Sequence, residues 1–314
     1  MPPKESERND AVRGGAASSS SSSSSSPQQQ QRRSAFTIPP PLKRLFDAFP
    51  LVTYPPNELP LRAPRNRYQH ALYVFATAEG AELGAPSYNP SCLKWQTYLE
   101  FCNINFCVVP SNNHASPTGA LPFLLPSSSE LSKPSPPVPS GKLQKWTLQN
   151  SSSVVEEPSD MRYEAYLSLI DHRIRRAWLY ALYLTPNFTS IAESLYILPA
   201  SSNSFVRLTI AYELRAAAEA ELLKHSAVIS AETLYKDAEE AFAALETVLG
   251  DGEWFFGAAK PGLFDASVFA YTHLLLDKAL GNGWSESRLR NAVLGNRKLV
   301  AHRERILTTF YTGA

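Results

Sequence analysis

A short apolar strand entered through a proline constrains the fold of this chain more than any other feature. Residues Gly119–Leu125 read Gly-Ala-Leu-Pro-Phe-Leu-Leu and follow a polar loop, Asn112–Thr118. Proline has no backbone N–H, so within a sheet it is confined to strand starts, bulges and edges. An X-Pro bond can also be held cis at a cost of only ~0.5–1 kcal/mol. Pro122 is therefore predicted to form a turn that opens a buried strand, either beside a ligand site or purely as scaffold.

Length and charge bound the class of protein. The chain has 314 residues, 44% of them hydrophobic, which is enough for one or two buried cores. Its formal net charge is +1, so no overall electrostatic attraction draws it toward nucleic acid. We therefore expect a globular protein without a nucleic-acid partner.

The three cysteines predict neither a metal site nor a redox pair. Cys92, Cys102 and Cys107 lie close together, without a Cys-x-x-Cys pair and without histidines at metal-ligand spacing. Such an odd, sparse set is typical of a reducing compartment, where thiols pack as small hydrophobic groups. We expect buried free thiols and no cofactor.

Two segments precede the folded part. Residues 1–35 form a serine- and glutamine-rich tail that is predicted to be disordered, because it cannot bury enough apolar surface. Residues 36–67 form a basic, proline-rich extension containing a short amphipathic helix. The apolar face of that helix either docks on an anionic membrane or an acidic partner, or covers the chain's own domain. The candidate contact residues on this face are Leu45, Phe46 and Phe49.

Residues 68–152 read as alternating strand and helix. An aromatic and β-branched strand, 71–76, precedes a helix that Asn89 and Pro90 begin, and a second strand follows at 105–109. Two strands joined through a helix predict a parallel, right-handed crossover. The proline-opened strand is the third, and 142–148 is predicted to be the last strand of the sheet.

Residues 153–314 read as helices throughout, which predicts an all-α second domain. The most apolar run, Leu263–Leu276, is interrupted by polar residues and shorter than the ~20 residues that cross a bilayer. Neither a secretory leader nor a hydrophobic C-terminal tail is recognisable. Membrane association is therefore expected to be peripheral.

An α/β domain with a proline-opened third strand, followed by helices, resembles the glutathione transferase fold, in which a thioredoxin-like domain precedes a helical one. A second marker is the segment Lys260–Asp265, which leads into the apolar helix. Members of that superfamily usually carry Ser or Thr three residues before this Asp, where it caps the helix. Here the position is Gly262, which a helix N-cap tolerates. The proline turn and Asp265 are thus the fold markers of the resemblance.

Within that superfamily the chain resembles the metaxins, over residues 92–102, 111–114 and 116–124, and their fungal members over residues 45–60. Metaxins are receptor-side subunits of the mitochondrial sorting and assembly machinery. The resemblance implies a non-enzymatic, peripheral subunit on the cytosolic face of the outer membrane, and the missing tail anchor favours the smaller fungal subunit. Its implied partners are the β-barrel core subunit, a second metaxin-like subunit and β-barrel precursors. An extended precursor segment can add to an exposed sheet edge.

The alternative is a soluble glutathione-dependent transferase or thiol reductase. It requires a Tyr, Ser or Cys near the first strand's end or the first helix's start, to hold the glutathione thiolate. Cys92 is the candidate, since a helix N-terminus lowers a thiol's pKa, but it can equally point into the core. Transferases also place Glu or Gln directly before Ser after the fourth strand, whereas one residue separates Gln149 from Ser151. We therefore predict that the protein is not an enzyme.

Overall fold

The computed structural model of this chain describes residues 69–127, 135–151, 161–281 and 283–311. The predicted tail and extension, including Leu45, Phe46 and Phe49, lie outside these described residues. The described residues form an α/β part, up to residue 151, and a helical part from residue 161 onward.

A four-stranded sheet forms the core of the α/β part. Its strands are β1 (His70–Val74), β2 (Phe106–Pro110), β3 (Phe123–Leu125) and β4 (Val138–Pro139), in the spatial order β2-β1-β3-β4. β1 runs parallel to β2 and antiparallel to β3, and β3 runs antiparallel to β4. The parallel pairing of β1 and β2 confirms the crossover predicted from the sequence.

Two helices lie between β1 and β2: a short one, α1 (Ala78–Glu82), which packs near β2, and α2 (Pro90–Phe101). Oδ1 of Asn89 accepts hydrogen bonds from the N–H groups of Ser91 and Cys92, at 3.1 and 3.3 Å, so Asn89 caps α2 as predicted. The helix is packed on several sides, because it separates the sheet from the helical part. Its buried residues are Pro90, Cys92, Leu93, Gln96, Thr97, Tyr98, Leu99 and Phe101.

The prediction of a last strand at 142–148 is wrong. That segment belongs to a helix, α3 (Ser140–Asn150), and the fourth strand is the two-residue β4 immediately before it. Leu143 and Thr147 are the buried residues of α3, and Trp146 is half-buried. This spacing of three and four residues is helical, and it places the buried side chains on one face of α3.

The described residues from 161 onward contain helices and no strand, in agreement with the all-α prediction. A long first segment comprises α4 (Arg162–Leu169), a π-helical turn (Ile170–Ile174) and α5 (Arg175–Tyr183), and a π-helical segment follows at Phe188–Ile197. The other helices are α6 (Ser204–Leu223), α7 (Ala231–Leu249), α8 (Leu263–Leu276), α9 (Lys278–Gly281), α10 (Arg288–Gly295) and α11 (Arg297–Phe310).

Helix α8 is the centre of the helical part, since all fourteen of its residues are buried. It packs against α2, and this contact joins the helical part to the sheet. At the same boundary the hydroxyls of Thr97 and Tyr311 lie 2.8 Å apart, and the ring of Phe101 meets the ring of Phe310 edge to face. The apolar, centrally buried helix predicted from the sequence is therefore confirmed.

Candidate functional site

The turn before β3 contains Pro122, which is predicted to lie either beside a ligand site or in a purely structural turn. The Leu121–Pro122 peptide bond is cis. The N–H of Leu121 donates to Oδ1 of Asn113 at 3.0 Å, and the hydroxyl of Ser116 donates to the carbonyl of Ala120 at 2.6 Å. The polar groups around Pro122 are thus bonded within their own loop, and the N–H at the turn has a protein partner.

Cys92, the candidate nucleophile, points into the core. Its side chain is 0% exposed, and it lies near Ser87 and the carbonyl of Phe75. Burial raises the pKa of the Cys92 thiol to about 12, although the thiol lies in the first turn of α2. Desolvation therefore outweighs any effect of the helix N-terminus, and Cys92 is a neutral thiol at physiological pH.

Two hydroxyls near the start of α2 are also engaged. The hydroxyl of Ser87 donates to the carbonyl of Phe75 at 2.6 Å, and that of Tyr88 donates to the carbonyl of Leu195 at 3.2 Å. Burial raises the pKa of Tyr88 to about 12. Since each hydroxyl proton is directed to a carbonyl, neither side chain is arranged to stabilise a bound thiolate.

The Gln149–Ser151 pair is placed where it cannot bind a γ-glutamyl group next to the turn. Both residues lie at the C-terminal end of α3, where Gln149 is exposed and the hydroxyl of Ser151 donates to the carbonyl of Cys102 at 2.7 Å. At the junction of β4 and α3, β4 ends at Pro139, which is the N-cap position of α3, and the helix begins at Ser140. A proline stands where a transferase has Glu or Gln, so this sequence lacks the carboxylate or amide of that pair.

Asp265 acts as the predicted helix cap. Its Oδ2 accepts from the N–H of Gly262 at 3.0 Å, and its Oδ1 accepts from the N–H of Phe255 at 3.2 Å. The carboxylate is buried and serves the backbone before α8, as expected for a fold marker. The sequence did not indicate its third partner, His302, which lies 37 residues away along the chain.

Strand β2 forms one edge of the sheet. Among the described strands, β2 pairs with β1 alone. Cys107, on β2, is exposed, whereas Cys92 and Cys102 are buried, so the prediction that the cysteines are buried is wrong for this one. No metal site is assembled from His, Cys, Asp and Glu side chains in the described part of the chain. The same ranges hold no helix that is both long and apolar enough to cross a bilayer.

Family models match three parts of the chain. One describes the glutathione S-transferase N-terminal domain (residues 90–188), one the glutathione S-transferase C-terminal domain (238–306), and one "SAM35, subunit of SAM complex" (36–85). The chain is 26% identical to Metaxin-3 of Xenopus laevis over 205 residues, which cover 61% of this chain and 63% of that protein. It is 28% identical to Metaxin-1 of Homo sapiens over 244 residues, 73% of this chain and 49% of that protein. The chain is similar to the metaxins, and these matches together support a metaxin-family protein.

The matched region spans less than two thirds of the length of these two metaxins. Among solved structures, a glutathione transferase from Phanerochaete chrysosporium is 14% identical, covers 74% of this chain and 97% of its own, and has a TM-score of 0.47. The transferase-domain models match residues 90–188 and 238–306, within the α/β and helical parts, so this chain has the glutathione transferase-like fold with a thioredoxin-like sheet domain.

The residues that accept or donate the hydrogen bonds at the turn and near the start of α2 come from three separate places along the chain. Asn113 lies in the loop before the turn, Ser87 precedes α2, and Leu195 lies in the helical part. The hydrogen bond to Asn113 could have been predicted from the sequence, because an Asn in a tight polar loop commonly bonds nearby backbone. No local pattern indicated the bond from Tyr88 to Leu195, since the two residues are 107 positions apart.

Proposed function

We propose that this chain is a non-enzymatic subunit of the sorting and assembly machinery of the mitochondrial outer membrane, peripheral on the cytosolic face, where it recognises β-barrel precursors and assists their insertion. Its partners there are the β-barrel core subunit and a second metaxin-like subunit. The similarity of residues 36–85 to the SAM35 family supports this placement.

The observation that carries the non-enzymatic part is the hydrogen bond from the N–H of Leu121 to Asn113. A thiol ligand that bound the turn through this N–H would first have to displace the Asn113 side chain, so the hydrogen bond that it gained there would be offset by the one that it broke. The buried, neutral Cys92 offers no thiolate in return. The geometry therefore favours a scaffold role for the turn.

The sheet edge supports a mode of precursor recognition. The N–H of Ser111 donates to the carbonyl of Val74 at 2.9 Å, so alternate residues Val109 and Cys107 also direct their backbone groups to β1. Phe106 and Val108 then direct their N–H and C=O groups to the outer side of β2. An extended precursor segment can pair with these groups as an added strand.

The opposite edge suits strand addition less well. β4 has two residues, Val138 and Pro139, and the proline has no N–H to donate. Of the two edges in the described sheet, β2 is therefore the one that we propose for precursor binding.

Membership of the complex is tested by isolation from mitochondria. Tagged full-length protein is purified in a mild detergent, and its partners are identified by mass spectrometry and native electrophoresis. We expect co-purification with a β-barrel membrane protein and a second metaxin-like protein. Migration only as a free monomer would contradict the proposal, and so would turnover of glutathione by the purified chain.

Precursor recognition is tested separately through Cys107, the exposed cysteine. A photo-crosslinker attached to Cys107 should capture a peptide that ends in a β-barrel sorting signal, and a scrambled peptide should be captured poorly. The matched control carries Cys107→Ser with Leu148→Cys, which moves the crosslinker to an exposed position on α3. Equal capture from both positions would exclude β2 as the binding edge.

A further inference from the structure

Helix α6 exposes large apolar side chains at its N-terminal end. Phe205, Leu208 and Tyr212 are 83%, 70% and 74% exposed. Their spacing of three and four residues places them on one helix face. The exposed Leu198 lies in the turn just before the helix, and Val206 beside the face. We call these five residues the α6 tip.

The packing of α6 against its neighbours does not explain why the residues of the α6 tip are apolar. The fully buried residues of α6 are Ala218 and Leu222, both in its C-terminal half, where it packs against α5. In proteins, helices are stabilised mainly by burying an apolar face. In α6 that face includes Ile210, Ala211 and Leu214, which pack against the core, whereas Phe205, Leu208 and Tyr212 are directed to solvent. Clustered exposed apolar groups of this kind mark interaction surfaces.

Hydrogen bonds hold the α6 tip in one conformation. Oδ1 of Asn203 accepts from the N–H of Phe205 at 2.9 Å and so caps α6. The Arg207 guanidinium donates to the carbonyls of Ser201 and Leu198, which ties the preceding turn to the first turn of the helix. The five apolar side chains are therefore presented together by a braced helix end.

The charges around the tip fit one kind of partner. Between Glu193 and Glu213 the sequence contains no acidic residue, and Arg207 is its single charged side chain. The turn that leads into α6 carries exposed polar groups at Ser202 and Asn203. The exposed Glu213 follows Tyr212 at the far end of the tip, so it is the end around Phe205 and Leu208 that presents apolar side chains bordered by small polar groups and Arg207. This composition matches the boundary between the acyl chains and the anionic headgroups of a bilayer.

We propose that the α6 tip inserts into the surface of an anionic lipid bilayer. Phe205 and Leu208 enter the acyl boundary, Tyr212 lies at headgroup level, and Ser202 and Asn203 face the headgroups. This inference deepens the peripheral membrane location in the proposed function. It assigns that contact to the helical part of the chain, in addition to the extension predicted around Phe46.

Vesicle flotation of the purified full-length chain tests the α6 tip without the other subunits. The vesicles are phosphatidylcholine, with and without phosphatidylinositol. The double variant Phe205→Ser/Leu208→Ser should lower the partition coefficient about tenfold or more, because two apolar side chains no longer enter the bilayer. The matched control, Leu83→Ser, removes a Leu that is 63% exposed in the α/β part and should leave flotation unchanged.

Three outcomes overturn the proposal. Unchanged flotation of the double variant, with loss of flotation for Phe46→Glu, would assign membrane binding to the extension alone. A change in sedimentation coefficient without any change in flotation would show that a second copy occupies the tip. Loss of co-purifying subunits with intact flotation would show that a protein partner occupies it. Thermal unfolding of each variant checks the fold, and because the replaced side chains are exposed, their transition temperatures should match the wild type.

Discussion

Oδ1 of Asp265 lies 2.9 Å from Nε2 of His302, which joins the start of α8 to the middle of α11. Both side chains are buried, and the same carboxylate accepts the N–H groups of Gly262 and Phe255. One side chain therefore connects the helix cap, the preceding loop and the last helix. This explains how the helical part remains ordered although Gly262 has no side chain with which to cap α8.

Replacing Asp265 with alanine should destabilise the protein by about 2–4 kcal/mol, since it removes the cap and leaves buried N–H groups without an acceptor. The measurement is equilibrium denaturation of the full chain. Asp251→Ala is the control, because Asp251 is almost fully exposed and forms an ion pair with Lys298 at the surface. Equal losses for the two variants would show that Asp265 is not the connection described.

Thiol reactivity should distinguish the three cysteines. In the native protein a maleimide should modify Cys107 rapidly and leave Cys92 and Cys102 unmodified, because both are fully buried. Unfolding should expose all three, and Cys107→Ser should abolish the fast reaction. Intact-mass spectrometry gives the stoichiometry. Fast native modification of Cys92 would contradict its buried, neutral state and reopen the thiol-enzyme alternative.

Asn113→Ala should loosen the loop at the turn. The N–H of Leu121 loses its acceptor, and we expect a loss of stability of about 1–2 kcal/mol. Glutathione should remain unbound by calorimetry, since Cys92 stays buried and Pro139 still precedes Ser140. The control is Asn150→Ala, at an exposed position where the side-chain amide donates to the carbonyl of Trp146 in its own helix. Glutathione binding that appears in Asn113→Ala would show that the loop merely covers a functional site.

His273 should make the protein less stable in acid. Burial, followed by the charge of Arg303, lowers the pKa of His273 to about 4 from its usual 6.5. Between these values the unfolded chain binds the proton and the folded chain does not, so stability falls as pH decreases through this window. His273→Leu should flatten the slope of unfolding free energy against pH between about 6.5 and 4. The control His114→Leu, at an exposed position, should leave that slope unchanged. Equal slopes for the two variants would contradict the role given to His273.

Glu100 should make the protein less stable as the pH rises, which is opposite to the effect of His273. Half-burial on α2 raises the pKa of its carboxyl to about 7, above the 4.5 of an exposed Glu, so the folded chain holds the proton more tightly. Stability is therefore lost as pH rises from about 4.5 to 7. Glu100→Gln should gain on the order of 1 kcal/mol at pH ~8, a value reduced because the group still contacts water. The exposed Glu82→Gln should gain nothing, and denaturation at both ends of the window measures the difference.

The sequence by itself determined the elements whose signals are local. Helix α7 begins and ends where its apolar period and Gly250 place it, and Asn89 caps α2 as its position before Pro90 predicts. The all-α part and the parallel crossover also follow, because each depends on periodicity within a few turns or on the length of one connection. The segment 142–148 was misassigned, since so short a run fits both periods until its neighbours show which side chains are buried.

The tertiary structure alone decided the properties of the candidate sites. Whether Cys92 is a thiolate depends on the desolvation imposed by the surrounding core, and whether the turn offers its N–H depends on where Asn113 lies. The pairing of Asp265 with His302 and the exposure of Phe205 depend on how helices far apart in sequence pack together. Burial and long-range contact are properties of the folded packing, so a pattern that extends over a few residues cannot contain them.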